Sequence, residues 1–133
     1  MYKKKRFAVI IFIGLVLLLG VFAACSRSVS DVSIVIIGHG GEVLVEIDNK
    51  DYDNNLVVDI LRENNAVLQI PEWQLVGPNA GFITEIAGVE AVWAEEGNRW
   101  WWRMDIDGEM SALGILQMRV RNGAVISFTL VAG

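Results

Sequence analysis

The chain has 133 residues, 53% hydrophobic and 20% charged, with 11 basic and 16 acidic side chains, one His and one Cys. A chain of this length makes one domain with at most a short appendage, and its apolar content excludes wholesale disorder. One Cys excludes a disulfide framework or a cysteine-rich metal site, one His excludes a multi-histidine centre, and a net charge of −5 argues against a nucleic-acid partner.

The charge is unevenly placed. Lys3, Lys4, Lys5 and Arg6 precede residues 7–24, FAVIIFIGLVLLLGVFAA, which carry no charge at all. A basic start, an apolar run and a small-residue end make the pattern of a secretory signal over residues 1–24. Taking those four cations from the eleven leaves seven against sixteen acids, so the exported part carries a net −9. Val21-Phe22-Ala23-Ala24-Cys25 resembles a bacterial lipobox, with Phe22 where Leu is usual, and makes Cys25 the lipidation residue. An uncleaved anchor is the competing reading, because 18 apolar residues span about 27 Å as a helix, just enough for a thin bilayer core. Both readings leave Lys3–Arg6 in the cytoplasm and the domain on the extracytoplasmic face of the cell membrane. Residues 25–31 then form the lipidated Cys and tether, and residues 32–133 the folded domain.

Val32–Ile37 is a β-branched run closed by Gly38-His39-Gly40-Gly41, and Glu42–Asp48 alternates Val43, Val45 and Ile47 with Glu42, Glu46 and Asp48. The two runs predict a hairpin with one wet side. His-Gly-Gly has the look of an oxyanion loop, but no Gly-x-Ser-x-Gly elbow exists to use it. Asp51-x-Asp53-x-Asn55 begins like a calcium loop, yet Leu56 and Arg62 stand where Gly and Glu are needed. The Asn49–Asn55 stretch therefore reads as a turn, with Asp53, Asn54 or Asn55 capping a helix over Leu56–Asn65. Leu56, Val57, Ile60 and Leu61 form the apolar face of that helix.

After it, 66–80 reads as an irregular connection with an extended piece at Val67–Ile70, and Phe82–Ile86 reads as a strand closed by Ala87-Gly88. Glu95-Glu96-Gly97-Asn98 is a turn before a strand over Trp100–Ile106, which ends in the type I′ signal Asp107-Gly108. Asn122-Gly123 leads into a last strand, Val125–Val131. The whole predicts an α+β fold, one main helix packed on a five- to six-stranded mixed or antiparallel sheet.

Period-two alternation back from Asp107-Gly108 assigns Ile106, Met104, Trp102 and Trp100 to the core, and Asp105, Arg103 and Trp101 to the wet face. Trp101 offers a flat apolar surface and Arg103 and Asp105 offer polar edges, so these three are the candidate ligand-binding residues. Trp73 and Trp93 are the candidate rim.

Four short motifs occur in order: Leu56-Val57-Val58-Asp59-Ile60-Leu61, Gly81-Phe82-Ile83-Thr84-Glu85-Ile86-Ala87-Gly88, Trp101-Trp102-Arg103-Met104-Asp105-Ile106-Asp107-Gly108, and Arg121-Asn122-Gly123-Ala124-Val125-Ile126. Together they resemble the DUF4430 domain, the transcobalamin-like C-terminal domain of bacterial surface proteins, over most of residues 33–133. The resemblance implies a β-grasp-like fold and kinship with the domain that closes over cobalamin in vertebrate carriers. Three departures qualify it: Asp107 replaces the hairpin Asn, Met104 and Asp105 replace strand tyrosines, and Asn122-Gly123-Ala124 replaces Asp-Gly-Asp. The turns survive these changes, while the aromatic ligand surface changes. Vertebrate carriers also use a large helical domain for half of the cage.

With no nucleophile–base pair, phosphate loop or closed metal set, the expectation is a binding module and not an enzyme, held to the membrane by a lipid anchor. Its expected partner is a small, planar or amphipathic molecule taken at the tryptophan hairpin. No cofactor or metal is expected beyond a cobalamin-type ligand as one candidate. The competing expectation is a protein-interaction module that docks a cell-surface protein or transporter.

Overall fold

The computed structural model describes residues 27–93 and 98–133. The expected signal segment, Cys25 and the Glu95-Glu96-Gly97 part of the expected turn lie outside the described residues.

Strands β1 (Val29–Ile37) and β2 (Val43–Tyr52) form the expected antiparallel hairpin. The Gly38–Gly41 turn is closed by the Gly41 N–H donating to the Gly38 carbonyl at 3.1 Å, with Gly41 at φ +83°. β1 begins three residues before the expected Val32, and Val29 is buried, so Val29–Asp31 belong to the sheet and not to a tether. β2 likewise runs through Asn49-Lys50-Asp51, where a turn was expected. Left-handed residues at Asp31 (φ +57°) and Asn49 (φ +49°) accompany shifts in the β1–β2 register. Asx residues tolerate that conformation, so the strands bulge and continue where a break is expected. The Asn49 N–H donates to Ser33 Oγ at 3.1 Å, and the Asp31 N–H donates to Asp51 Oδ1 at 3.1 Å.

The main helix, α1 (Val57–Glu63), starts and ends close to expectation but is capped differently. No side chain caps it. Asn54 Oδ1 instead accepts from the Leu56 N–H, and the N–H groups of Val57 and Val58 donate to the carbonyls of Met118 and Ile115 at 2.9 and 3.0 Å. Orphan donors of the first turn are thus met by a distant loop. Asn64 ends the helix: its Nδ2 donates to the Ile60 carbonyl at 2.8 Å and to Tyr52 Oη at 2.9 Å. The expected extended piece at 67–70 is instead a helical turn, α2 (Asn65–Leu68), closed by Gln69 at φ +52°. A second turn, α3 (Glu72–Leu75), follows.

Of the strand expected over 82–86, only β3 (Glu85–Ile86) forms, paired with β4 (Val89–Glu90). Gln74 takes the preceding backbone, its Oε1 accepting from the Thr84 N–H at 2.9 Å and its Nε2 donating to Thr84 Oγ1. The remaining strands are β5 (Val92–Trp93), β6 (Arg99–Ile106), β7 (Glu109–Met110) and β8 (Val125–Ala132).

The six-stranded sheet runs β2-β1-β8-β6-β5, with β7 beside β6. β1 and β8 are parallel neighbours at its centre, and the other pairs are antiparallel. First and last strands side by side under one main helix make the α+β, β-grasp-like architecture that the sequence predicts. The core lies between sheet and helices: Ile34, Ile36, Ile126, Phe128 and Trp102 face Val57, Ile60, Leu61, Leu68 and Leu75. Each such side chain contributes about 1.5–3 kcal/mol by leaving water. Among the described residues no helix is long and apolar enough to cross a membrane.

Candidate functional site

The β6–β8 register fixes which face each tryptophan occupies. Trp102, Met104 and Ile106 pair with Leu130, Phe128 and Ile126 on the core side. Trp101, Arg103 and Asp105 pair with Val131, Thr129 and Ser127 on the opposite face. Trp102 is 7% exposed, and its Nε1–H donates to the Val89 carbonyl at 3.1 Å, pinning the β3–β4 hairpin over the ring. Trp100 is half-buried, with the His39 ring edge-on at 5.1 Å.

Trp101, expected on the wet face, is half-buried, and its indole lies close to Gly133. Asp105 departs further from expectation: it is 6% exposed. The Arg103 guanidinium folds back along the strand and donates from Nη2 to Asp105 Oδ2 at 3.0 Å. A buried carboxylate needs that partner, so Asp105 supports Arg103 and is not presented to a ligand. Arg103 Nε is buried with no hydrogen-bond partner among the described residues.

Along β6, between the stretches that pair with β5 and β7, a pocket of about 160 Å³ opens against Trp101–Met104. Its far walls are Gly81–Ile83 and the segment from Met110 to Ile115. That volume suits a single apolar ring or a short alkyl group, so a larger molecule has to lie across the mouth. There stands an exposed aromatic pair: the Phe82 and Trp93 rings are 5.8 Å apart and tilted by 32°, 61% and 58% exposed. Met110 and Leu113 extend the apolar surface on the other side.

The structure thus brings Trp101 and Arg103 to the pocket wall, and Trp93 to its rim through Phe82. Asp105 is placed behind Arg103, and Trp73, exposed on α3, does not line the pocket. Phe82, Met104, Met110 and Leu113 are site residues the sequence did not single out. Phe82 was assigned to a strand interior, and only the Gln74 clamp, which frees it from a ladder, reveals it as rim. Among the described residues no three His, Cys, Asp or Glu side chains gather as a metal site, and Asp51 lies within β2 and not in a loop.

The family described as "Domain of unknown function (DUF4430)" matches residues 54–132, which include the whole pocket. No curated protein matches the chain by sequence. Among solved structures, a protein of Ruminococcus gnavus described as a proposed metal binding protein superposes with a TM-score of 0.57 at 20% identity. That match covers 77% of this chain and 97% of the other. Haptocorrin in complex with Cbi superposes with a TM-score of 0.54 at 20% identity, over 80% of this chain and 26% of haptocorrin. The chain therefore spans about a quarter of haptocorrin's length, and both likenesses are likenesses of fold.

Proposed function

The chain belongs to the DUF4430 family, and from the pocket it carries we propose that it is a membrane-anchored binding module on the extracytoplasmic face. Its ligand is a small planar or amphipathic molecule, a cobamide or one of similar shape, laid across the Phe82–Trp93 pair with one apolar edge in the 160 Å³ pocket. The observation that carries this reading is that pair. Two large rings more than half exposed, next to each other and beside an apolar opening, are a surface built for contact. The two structural neighbours, one solved with Cbi and one a proposed metal binder, support a binding role. A flat organic molecule suits this site better than a bare ion, because its lining is mainly aromatic, aliphatic and thioether residues with no carboxylate among them.

The test is a titration of the full chain in mild detergent with cobinamide, followed by tryptophan fluorescence. Saturable quenching is expected, weakened by Phe82→Ala and Trp93→Ala and unaffected by Trp73→Ala. No saturable quenching, or quenching that ignores Phe82 and Trp93, overturns the ligand reading in favour of protein docking. The anchor is tested separately: Cys25→Ala should leave an unprocessed precursor that takes up no labelled fatty acid, and normal processing would leave only the plain membrane span.

A further inference from the structure

At the opposite end of β6 lies a second and larger cavity, a groove of about 520 Å³ between the β6–β7 turn and residues 118–121. Its apolar lining includes Met110, Leu113 and Met118, and its polar lining places Arg119 and Arg121 on one wall with Asp107, Glu109 and Ser111 elsewhere around it. The two arginines flank Val120, which is 3% exposed, so on this extended segment they emerge on the same side. Neither belongs to a salt bridge among the described residues, where the ion pairs are Arg62–Asp59 and Arg103–Asp105. Arg119 Nη1 donates to Asn55 Oδ1 at 2.8 Å, a neutral partner that positions the guanidinium without cancelling its charge.

The groove also holds two carboxylates. Asp107 is committed to its own turn, its Oδ1 accepting from the Val125 N–H at 2.8 Å, and Glu109 is exposed on β7. Two guanidiniums thus stand on one wall of a largely apolar groove with no salt-bridge partner among the described residues. Guanidinium forks match phosphate oxygens, and the thioether and leucine side chains match an alkyl chain.

We propose that this groove binds a phosphate-ester amphiphile, its head on Arg119 and Arg121 and its tail along Met110, Leu113 and Met118. The groove shares Met110, Ser111 and Leu113 with the edge of the aromatic pocket, but its arginine end is distinct, and the proposal does not rest on the function proposed for that pocket. Its position adds a reason for such a ligand. Asn122, next to Arg121, accepts from the Ser30 N–H at 3.0 Å, so the groove opens at the pole where the chain passes into β1. If residues 1–25 anchor the protein, that pole faces lipid headgroups, and lipid or soluble phosphate esters present the same chemistry.

The experiment uses the full chain in a maltoside detergent, which carries no phosphate, titrated with hexyl phosphate and followed by phosphorus NMR against empty micelles. Saturable binding is expected, about ten-fold weaker in Arg121→Gln, an exposed position whose loss should leave the melting temperature unchanged. Inorganic phosphate and hexanol, each half of the ligand, should displace hexyl phosphate only at concentrations at least about ten-fold higher than the whole ligand needs. Phosphatidylglycerol added to the micelles distinguishes the source: it displaces hexyl phosphate if the lipid headgroup is the ligand and does not if a soluble ester is. Absent saturation, or equal binding by wild type and the Arg119→Gln/Arg121→Gln double variant, overturns the proposal.

Discussion

Replacing Trp102 by Ala separates the two faces of β6 more sharply than any other change. The indole is 7% exposed in the centre of the core and holds the Val89 carbonyl through its N–H at 3.1 Å. Removing a buried Trp costs about 3–5 kcal/mol in lost transfer energy and cavity formation. The stranded carbonyl adds about 1 kcal/mol. Against a total stability of about 5–15 kcal/mol for a domain of this size, that is a large fraction. At about 4–8 °C per kcal/mol, a combined loss of about 4–6 kcal/mol should lower the melting temperature by roughly 16 °C at the least and roughly 48 °C at the most. Trp102→Phe keeps most of the ring volume and loses the donor, so about 1–2 kcal/mol is expected. Trp101→Ala, on the far face and half-buried, should cost about 1 kcal/mol. Urea unfolding followed by far-UV circular dichroism measures all three. If Trp101→Ala is the more damaging, or Trp102→Ala costs less than about 1.5 kcal/mol, the register reasoning fails.

Arg103→Met should destabilise the fold by about 1–2 kcal/mol, since it leaves the Asp105 carboxylate buried without its guanidinium and Arg103 is itself partly exposed. Adding Asp105→Asn should restore at least half of that loss in the same unfolding assay. Burial raises the Tyr52 phenol above its ordinary value of 10.0, helped by the nearby Glu63 charge and opposed by the hydrogen bond from Asn64. The unfolded chain therefore gives up this proton first as pH rises. The stability held by the neutral phenol is complete below pH 10 and declines above it, and Tyr52→Phe should flatten that decline in melts taken across pH 9–11. Gly108 sits at φ +84° in the β6–β7 turn with open space where a Cβ would go, so Gly108→Ala should cost about 1 kcal/mol through backbone strain alone.

How much of this was legible in the sequence divides along local and distant causes. The hairpin of β1 and β2, the whole of β6, its Asp107-Gly108 turn and the Asn122-Gly123 lead into β8 follow from period-two alternation and from residues that tolerate positive φ. Those signals act within a few positions. The misses depend on partners outside that window, on Asx residues that carry a strand through a bulge, or on a side chain that turns back along its own strand. The carbonyls of Met118 and Ile115 cap α1, so the Asx residues before it were free to do something else. Gln74 occupies the backbone at Thr84 and cuts short the expected strand. Asp105 is an acid in a charged half of an alternating strand, and only its neighbour Arg103, folded back over it, allows its burial. The site splits the same way. Trp101 and Arg103 were visible by alternation, while Phe82, Met110 and Leu113 meet them only through the fold.

The parallel pairing of β1 with β8 has a consequence for how the protein comes into being. The contact between Ser30 and Asn122 spans 92 residues, and closing a loop of that size costs about 4 kcal/mol of chain entropy before any of it is offset. Until β8 has been synthesised, β1 and β6 lack their shared neighbour and the core lacks Ile126, Phe128 and Leu130. A growing chain thus has nothing stable to fold into until its last strand arrives, and then acquires most of its structure in one late, slow step dominated by non-local contacts. A polypeptide with this topology stays threadable for nearly the whole of its synthesis, which is the state in which a chain can be passed through a narrow channel before it closes on itself.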